Sequence, residues 1–295
     1  MIGGSRTFRE RLRFACVLEH AAYGWAMPTI ELADIRLAYD SINDTAPNTL
    51  LLVHGHPFDR SMWTPQMQAL IGHECRVIAP DLRGYGESGI TEAPTTLDRF
   101  ATDLFGLLDA LGRSSAVLCG LSMGGQIVME MCRLRPQRVN GVLLTATFPQ
   151  AETEEGKLRR NQMADRLLRE GMSGYAIETL PKMLSERSIR DQPDVAQHVL
   201  RMMSGAHPIG AAAALRGRAQ RPAYEPTLAS LQCPATIVVG DEDAFTTRAD
   251  ADLMERLIKR SSLLWLPGIG HMPNLENPQA FNAALVSLLQ ACEQK

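Results

Sequence analysis

The stretch CGLSMGGQ, residues 119–126, sets one serine, Ser122, between Gly120 and the pair Gly124 and Gly125. Glycine loses more freedom on folding than any other residue, so three of them around one hydroxyl mark a backbone shape that other residues hold poorly. The flanks define that shape. The apolar run AVLCG (116–120) reads as a buried strand, and MGGQIVMEMCRLRP (123–136) reads as a helix. A tight structural turn would use the same glycines. G-x-S-x-G between a strand and a helix is, more specifically, a nucleophile elbow: the turn lifts the serine above the sheet edge, and the first helical N–H groups face any negative charge formed there.

A serine nucleophile needs a base, an acid to hold that base, and donors for an oxyanion. Of seven histidines, His271 is the candidate base. It sits in PGIGHMPNLENP (267–278), a Gly/Pro-rich loop after the last expected strand, at the sheet end where open α/β sheets gather their sites. IVVGDEDAFTT offers Asp241, Glu242 and Asp243 beyond a strand end. Asp243 is the choice because a residue three past Gly240 can turn back over the sheet edge, whereas Asp241 reads as an exposed turn residue. The backbone N–H of Met123 supplies one oxyanion donor, and the N–H of His56, in the loop HGHPFDRSMW (54–63), supplies the other. Pro57 has no N–H to give. His54 and His56 have no third ligand at a recognisable spacing, so no metal is expected. No cofactor is expected either. The chain order Ser122, Asp243, His271 is that of α/β hydrolases rather than of chymotrypsin-like or subtilisin-like proteases.

These residues need a sheet to bring them together. Strands are expected at 30–32, 36–40, 49–55, 76–81, 116–120, 141–147, 235–240 and 262–267, with helices such as 97–111 and 249–259 between them. Several of the strands are continuous apolar runs, as in a parallel sheet covered on both faces. Alternation of this kind argues for a doubly wound α/β fold. From about Pro149 to Pro226 only helix patterns occur, and this block reads as an inserted helical cap. EEGKLRRNQMADRLLREG begins with acids and stops at Gly171; DQPDVAQHVLRMMSG places Val195, Val199, Met202 and Met203 on one face, with Pro193 near its start. The cap methionines, Met163, Met172, Met183, Met202 and Met203, fill core gaps or form a plastic apolar roof over a pocket. The domain division is 1–27 as an N-terminal extension, 28–148 and 229–295 as the core, and 149–228 as the cap.

Composition excludes several classes. A net charge of −3, with Lys+Arg 30 against Asp+Glu 33, leaves no footprint for nucleic acid or an anionic membrane, so the expected partner is a small molecule. No apolar run approaches the ~18 residues that span a bilayer. Six scattered cysteines without a CxxC pair read as buried thiols in a reducing compartment, and the short apolar stretch of the arginine-rich leader does not make a signal peptide, so a cytoplasmic location is expected.

Taken in order, HGHP, DLRGYGES, GLSMGG, GDED and GHMPNLENP resemble the α/β-hydrolase superfamily over residues 28–292. Within it the chain is similar to the serine esterases and lactonases such as 3-oxoadipate enol-lactonase, with cofactor-free haloperoxidases close by. The resemblance implies an eight-stranded, mostly parallel sheet with helices on both faces and a cap inserted after the sixth strand. It assigns the triad to Ser122, Asp243 and His271, and makes Asp81 and Arg83 residues that shape a loop. Serine at the elbow, where related dehalogenases and epoxide hydrolases use aspartate and dienelactone hydrolases use cysteine, points to acyl chemistry on a small ester or lactone. C–C hydrolysis, perhydrolysis and a receptor role on the same fold remain the alternatives. An apolar cap further implies an apolar acyl or ring portion in the substrate.

Overall fold

The structure is a computed structural model that describes residues 28–293, so the leader, with Cys16 and His20, lies outside the described residues. Eight strands form one sheet: β1 (Thr29–Glu31), β2 (Arg36–Ile42), β3 (Asn48–Val53), β4 (Cys75–Pro80), β5 (Ala116–Leu121), β6 (Val139–Thr145), β7 (Ala235–Gly240) and β8 (Ser261–Leu266). Their spatial order is β1-β2-β4-β3-β5-β6-β7-β8. β2 runs antiparallel to β1 and β4, and every later pairing is parallel.

The described helices are α1 (Thr64–Ala69), α2 (Leu97–Ala110), α3 (Met123–Leu134), α4 (Glu154–Glu170), α5 (Ser173–Met183), α6 (Glu186–Asp191), α7 (Pro193–Gly205), α8 (Pro208–Arg218), α9 (Glu225–Ser230), α10 (Arg248–Leu257), α11 (Pro273–Glu276) and α12 (Pro278–Glu293). The apolar run of β3 shows why its pattern is continuous. Successive strand residues point to opposite faces. Leu51 and Val53 join Phe100, Leu104 and Ile127 on one side of the sheet, while Leu50 and Leu52 join Met67, Phe281 and Leu285 on the other. Both faces are covered, so every position after Asn48 is buried.

Two strands end earlier than the apolar pattern implies. β3 stops at Val53, and β6 stops at Thr145, where Ala146 turns into positive φ (49°) and donates to Val238 O (3.1 Å). In both cases the residues beyond the ladder, His54 and Gly55 or Ala146 and Thr147, belong to the loops over the sheet's carboxyl edge.

α4 to α9 all lie between β6 and β7. α4 begins with Thr153 capping Gly156 N and ends at Gly171, whose φ of 74° suits glycine. In α7, which has Pro193 in its first turn, Val199, Met202 and Met203 are buried, and Val195 is half-buried. α8 packs on α4 through Ala211, Ala212 and Leu215 against Ala164 and Leu167. Most of the methionines here fill core: Met172, Met202 and Met203 are buried in packed clusters. No helix among the described residues is long and apolar enough to cross a membrane. Cys75, Cys119, Cys132 and Cys233 are buried.

Candidate active site

Ser122 follows β5 and opens α3 with φ 57° and ψ −114°. This is a backbone region that non-glycine residues occupy at a cost of about 1–3 kcal/mol, held only where the surroundings dictate it. Here they do. Ser122 N donates to Thr145 O (2.9 Å), and Thr147 Oγ1 donates to Ser122 O (2.9 Å). A Cβ at Gly124 would lie 2.1 Å from Val53 O, and one at Gly120 would lie 2.4 Å from Gly124 O, so β3, β5 and α3 approach too closely for any side chain.

His271 follows β8 in a loop tied down on both sides. Glu276, in α11, is buried and accepts from Gly270 N (3.0 Å), Met272 N (3.1 Å) and Ser185 N (3.0 Å). One carboxyl group therefore grips the residues before and after His271 and the chain just beyond α5. His271 N completes the link by donating to Met183 O (3.1 Å).

Asp243 lies beyond β7 and meets His271 Nδ1 at 2.8 Å through Oδ1. The same oxygen accepts from Phe245 N (2.8 Å) and Thr246 N (3.2 Å). Burial pushes this carboxyl group up, but the His271 ring and the hydrogen bonds to it outweigh that and hold Asp243 below its ordinary range. The Phe245 ring stands edge-on to His271 at 4.8 Å between centroids. Asp241 is exposed and takes Gly268 N (2.6 Å), a turn contact.

The loop after β3 is built on two histidines with different tasks. His54 Nε2 accepts from Leu82 N (2.9 Å), so its Nδ1 is the nitrogen that donates to Gly55 O (2.9 Å). Both ring nitrogens are used in a neutral ring, and burial pushes His54 down to about 4. His56 Nδ1 meets the Tyr85 hydroxyl at 2.7 Å, and burial together with the Arg218 and Arg160 charges holds it well below the usual range. No group of three His, Cys, Asp or Glu residues suited to a metal occurs among the described residues. The backbone N–H groups of His56 and Met123 donate to no other protein group among the described residues.

Asp81 and Arg83 hold the facing loop. Asp81 pairs with the Arg60 guanidinium and accepts from Arg60 N and Glu87 N (both 2.8 Å). Arg83 pairs with Asp103 (2.7 Å) and Asp34 (3.0 Å).

His54 yields a pH prediction. Its folded pKa lies below the ordinary 6.5, so between about 6.5 and about 4 the unfolded chain takes up a proton that the folded one refuses. Its contribution to stability is complete above that window and is lost as pH falls through it. Urea unfolding of wild type and His54→Gln at several pH values tests this. The wild type is expected to lose stability relative to the variant by up to about 1.4 kcal/mol per pH unit within the window. Parallel pH profiles would contradict it.

Ser122, His271 and His56 line one cavity of about 200 Å³ with Gln126, Ala146, Phe148, Arg160, Tyr175, Met183, Leu215, Arg218 and Phe245. Of the cap methionines only Met183 reaches it, in keeping with the core-filling reading rather than a methionine roof. Two arginines stand in the cavity wall. Sequence reasoning missed Arg160, Arg218, Gln126 and Tyr175. Gln126 had one local signal, a polar residue inside an otherwise apolar helix start. The others depend on how α4, α5 and α8 cross.

A model of the alpha/beta hydrolase family matches residues 50–284. The chain is 27% identical over 263 residues to a 3-oxoadipate enol-lactonase of Acinetobacter baylyi, covering 89% of this chain and 96% of that one. A thermophilic esterase of Thermogutta terrifontis, in a malate-bound structure, superposes with a TM-score of 0.85 at 35% identity, covering 90% of this chain and 97% of the other. The enol-lactonase of Burkholderia xenovorans gives a TM-score of 0.81 at 26% identity, over 89% and 100%. With its sheet order, its strained serine after β5 and a matched segment running from β3 into α12, the chain belongs to the alpha/beta hydrolase family.

Proposed function

We propose that the protein is a cofactor-free serine hydrolase that cleaves a small carboxylic ester or lactone. The observation that carries this reading is the strained Ser122, sharing one cavity with a His271 whose Nδ1 is held by the buried Asp243. Ser122 Oγ attacks the carbonyl carbon while His271 Nε2 takes its proton. The Met123 and His56 N–H groups receive the negative charge on the carbonyl oxygen. His271 then returns the proton to the departing alkoxide, leaving an acyl group on Ser122. Water, deprotonated by the same imidazole, attacks that acyl group and releases the acid with regeneration of the serine. Asp243 keeps the Nδ1–H tautomer, so Nε2 is free to accept, and it stabilises the imidazolium of each step.

Residues 149–228 act as the cap over this site, between the core segments 28–148 and 229–295. Met183, Leu215 and Arg218 reach the cavity from this segment. The names of the similar proteins, enol-lactonases and esterases, support the reaction class.

The test is hydrolysis of p-nitrophenyl esters of graded acyl length. A cavity of about 200 Å³ predicts highest kcat/KM for short acyl chains and a steep fall for long ones. Turnover that is absent at every length, together with no cleavage of simple lactones, would overturn the reading.

A further inference from the structure

The cavity beside Ser122 contains a buried cation with no ion-pair partner among the described residues. Arg218, at the end of α8, is 8% exposed, and its Nε donates to Gln126 Oε1 (3.1 Å). It forms no ion pair among the described residues. The neighbouring arginines are in a different position. Arg160 pairs with Glu152, and Arg221 lies 3.8 Å from the same carboxylate, donates to Gln150 O (2.9 Å) and stacks over Phe148. Glu225 acts on Arg221 from beyond ion-pair range. Glu152 also attracts Arg218 from beyond ion-pair range, but its direct contacts go to Arg160 and Arg221. Burial, and then the charges of Arg160 and Arg221, push the Arg218 guanidinium down from its ordinary range.

An isolated buried charge is among the most unfavourable groups a fold can hold, unless an opposite charge arrives to pair with it. The scaffold fixes Arg218 firmly all the same. A Cβ at the adjacent Gly217 would lie 1.8 Å from Thr95 O, so α8 is pressed against that chain at this point. Gln126 shares the arrangement. Its Oε1 is taken by Arg218, which leaves its Nε2 as a donor with no protein acceptor among the described residues. A guanidinium fork and an amide N–H₂ in one cavity wall form a receptor for a planar anion.

Resting on the ester or lactone hydrolase reading, we infer that the substrate carries a carboxylate on its acyl portion, bound by Arg218 and Gln126, and that this pair selects it over neutral esters. The position sets the spacing. Gln126 is one helical turn beyond Ser122, its N donating to Ser122 O (3.1 Å), and a turn rises about 5.4 Å. The carboxylate therefore lies a few bonds from the reacting carbonyl, as in the half-ester of a short dicarboxylic acid or a lactone with a short acidic side chain. Arg160 also lines an adjoining cavity, where Arg159 and Lys182 stand with Glu152 and Glu178.

The test compares monomethyl glutarate with its neutral isostere methyl glutaramate by pH-stat. Wild type is expected to favour the anion by about 10- to 100-fold in kcat/KM, the range of one charge-assisted hydrogen-bonded pair. In Arg218→Met the ratio falls toward one, and in Arg218→Lys it is intermediate. A wild-type ratio near one, or a ratio unchanged in Arg218→Met, overturns the inference and leaves the hydrolase reading standing. A second measurement needs neither turnover nor an Arg218 variant: glutarate is expected to raise the Tm of Ser122→Ala, while glutaramide does not. Equal stabilisation by inorganic phosphate would make the site a general anion hole and overturn the carboxylate assignment. If neither these esters nor any p-nitrophenyl ester or simple lactone is cleaved but glutarate still stabilises Ser122→Ala, the hydrolase reading fails and the carboxylate subsite stands.

Discussion

Ser122→Ala is expected to lower kcat for ester hydrolysis on the order of 10⁴- to 10⁶-fold, with the protein still folded, because in the proposed mechanism the group removed forms the covalent bond. The residual rate should match that of oxyanion donors and substrate positioning alone. Ser122→Gly adds a stability readout. Serine holds φ 57° and ψ −114° here, a region glycine enters without a Cβ clash, so the glycine variant should gain roughly 1 kcal/mol over wild type while being equally inactive. A stabilised, inactive Ser122→Gly beside an inactive Ser122→Ala would show that the strain belongs to the nucleophile's placement. If both retained near wild-type activity, Ser122 would not be the nucleophile.

Asp243 gives the second large effect, and its hydrogen bonds predict an unusual order among variants. Oδ1 alone accepts from His271 Nδ1, Phe245 N and Thr246 N, while Oδ2 is buried with no partner among the described residues. Asparagine can therefore keep its oxygen at the Oδ1 position, where three donors call for an acceptor, and put its N–H₂ at the Oδ2 position. The imidazole tautomer survives and only the negative charge is lost. Asp243→Asn should then cost about 10- to 100-fold in kcat, the worth of one charged hydrogen bond, whereas Asp243→Ala, which also frees the ring, should cost about 10⁴-fold. Equal losses in the two variants would mean that the asparagine presents its N–H₂ to His271 and that the backbone donors do not dictate its orientation.

What the sequence made readable was local. Gly120 and Gly124 announced close approach, and each meets backbone within 2.5 Å of where a Cβ would be. The apolar runs announced strands covered on both faces, and Leu50 to Val53 divide between the two sides of the sheet. Asp243 was separable from Asp241 by its offset from the strand end, and the two carboxylates do face different ways, one to His271 and one to a turn. The grip of Glu276 on both sides of His271 was not readable, since it depends on Ser185 arriving from α5, far away in the chain. Nor was the charge of the cavity wall. Methionine content is a property of composition, whereas the positions of Arg160 and Arg218 follow from α8 packing on α4, which no periodicity encodes. The polar side of the wall was therefore hidden, while Phe148, Met183, Leu215 and Phe245 give the cavity the apolar side that the sequence implied.

The central claim is a covalent acyl-enzyme on Ser122. Intact-protein mass spectrometry after rapid acid quench, during turnover of a p-nitrophenyl ester of short acyl length, tests it most directly. The account predicts a mass increase equal to one acyl group, mapped by peptide digestion to residues 116–134 and absent from Ser122→Ala. Turnover at a normal rate with no acyl adduct, or an adduct that persists in Ser122→Ala, would contradict it.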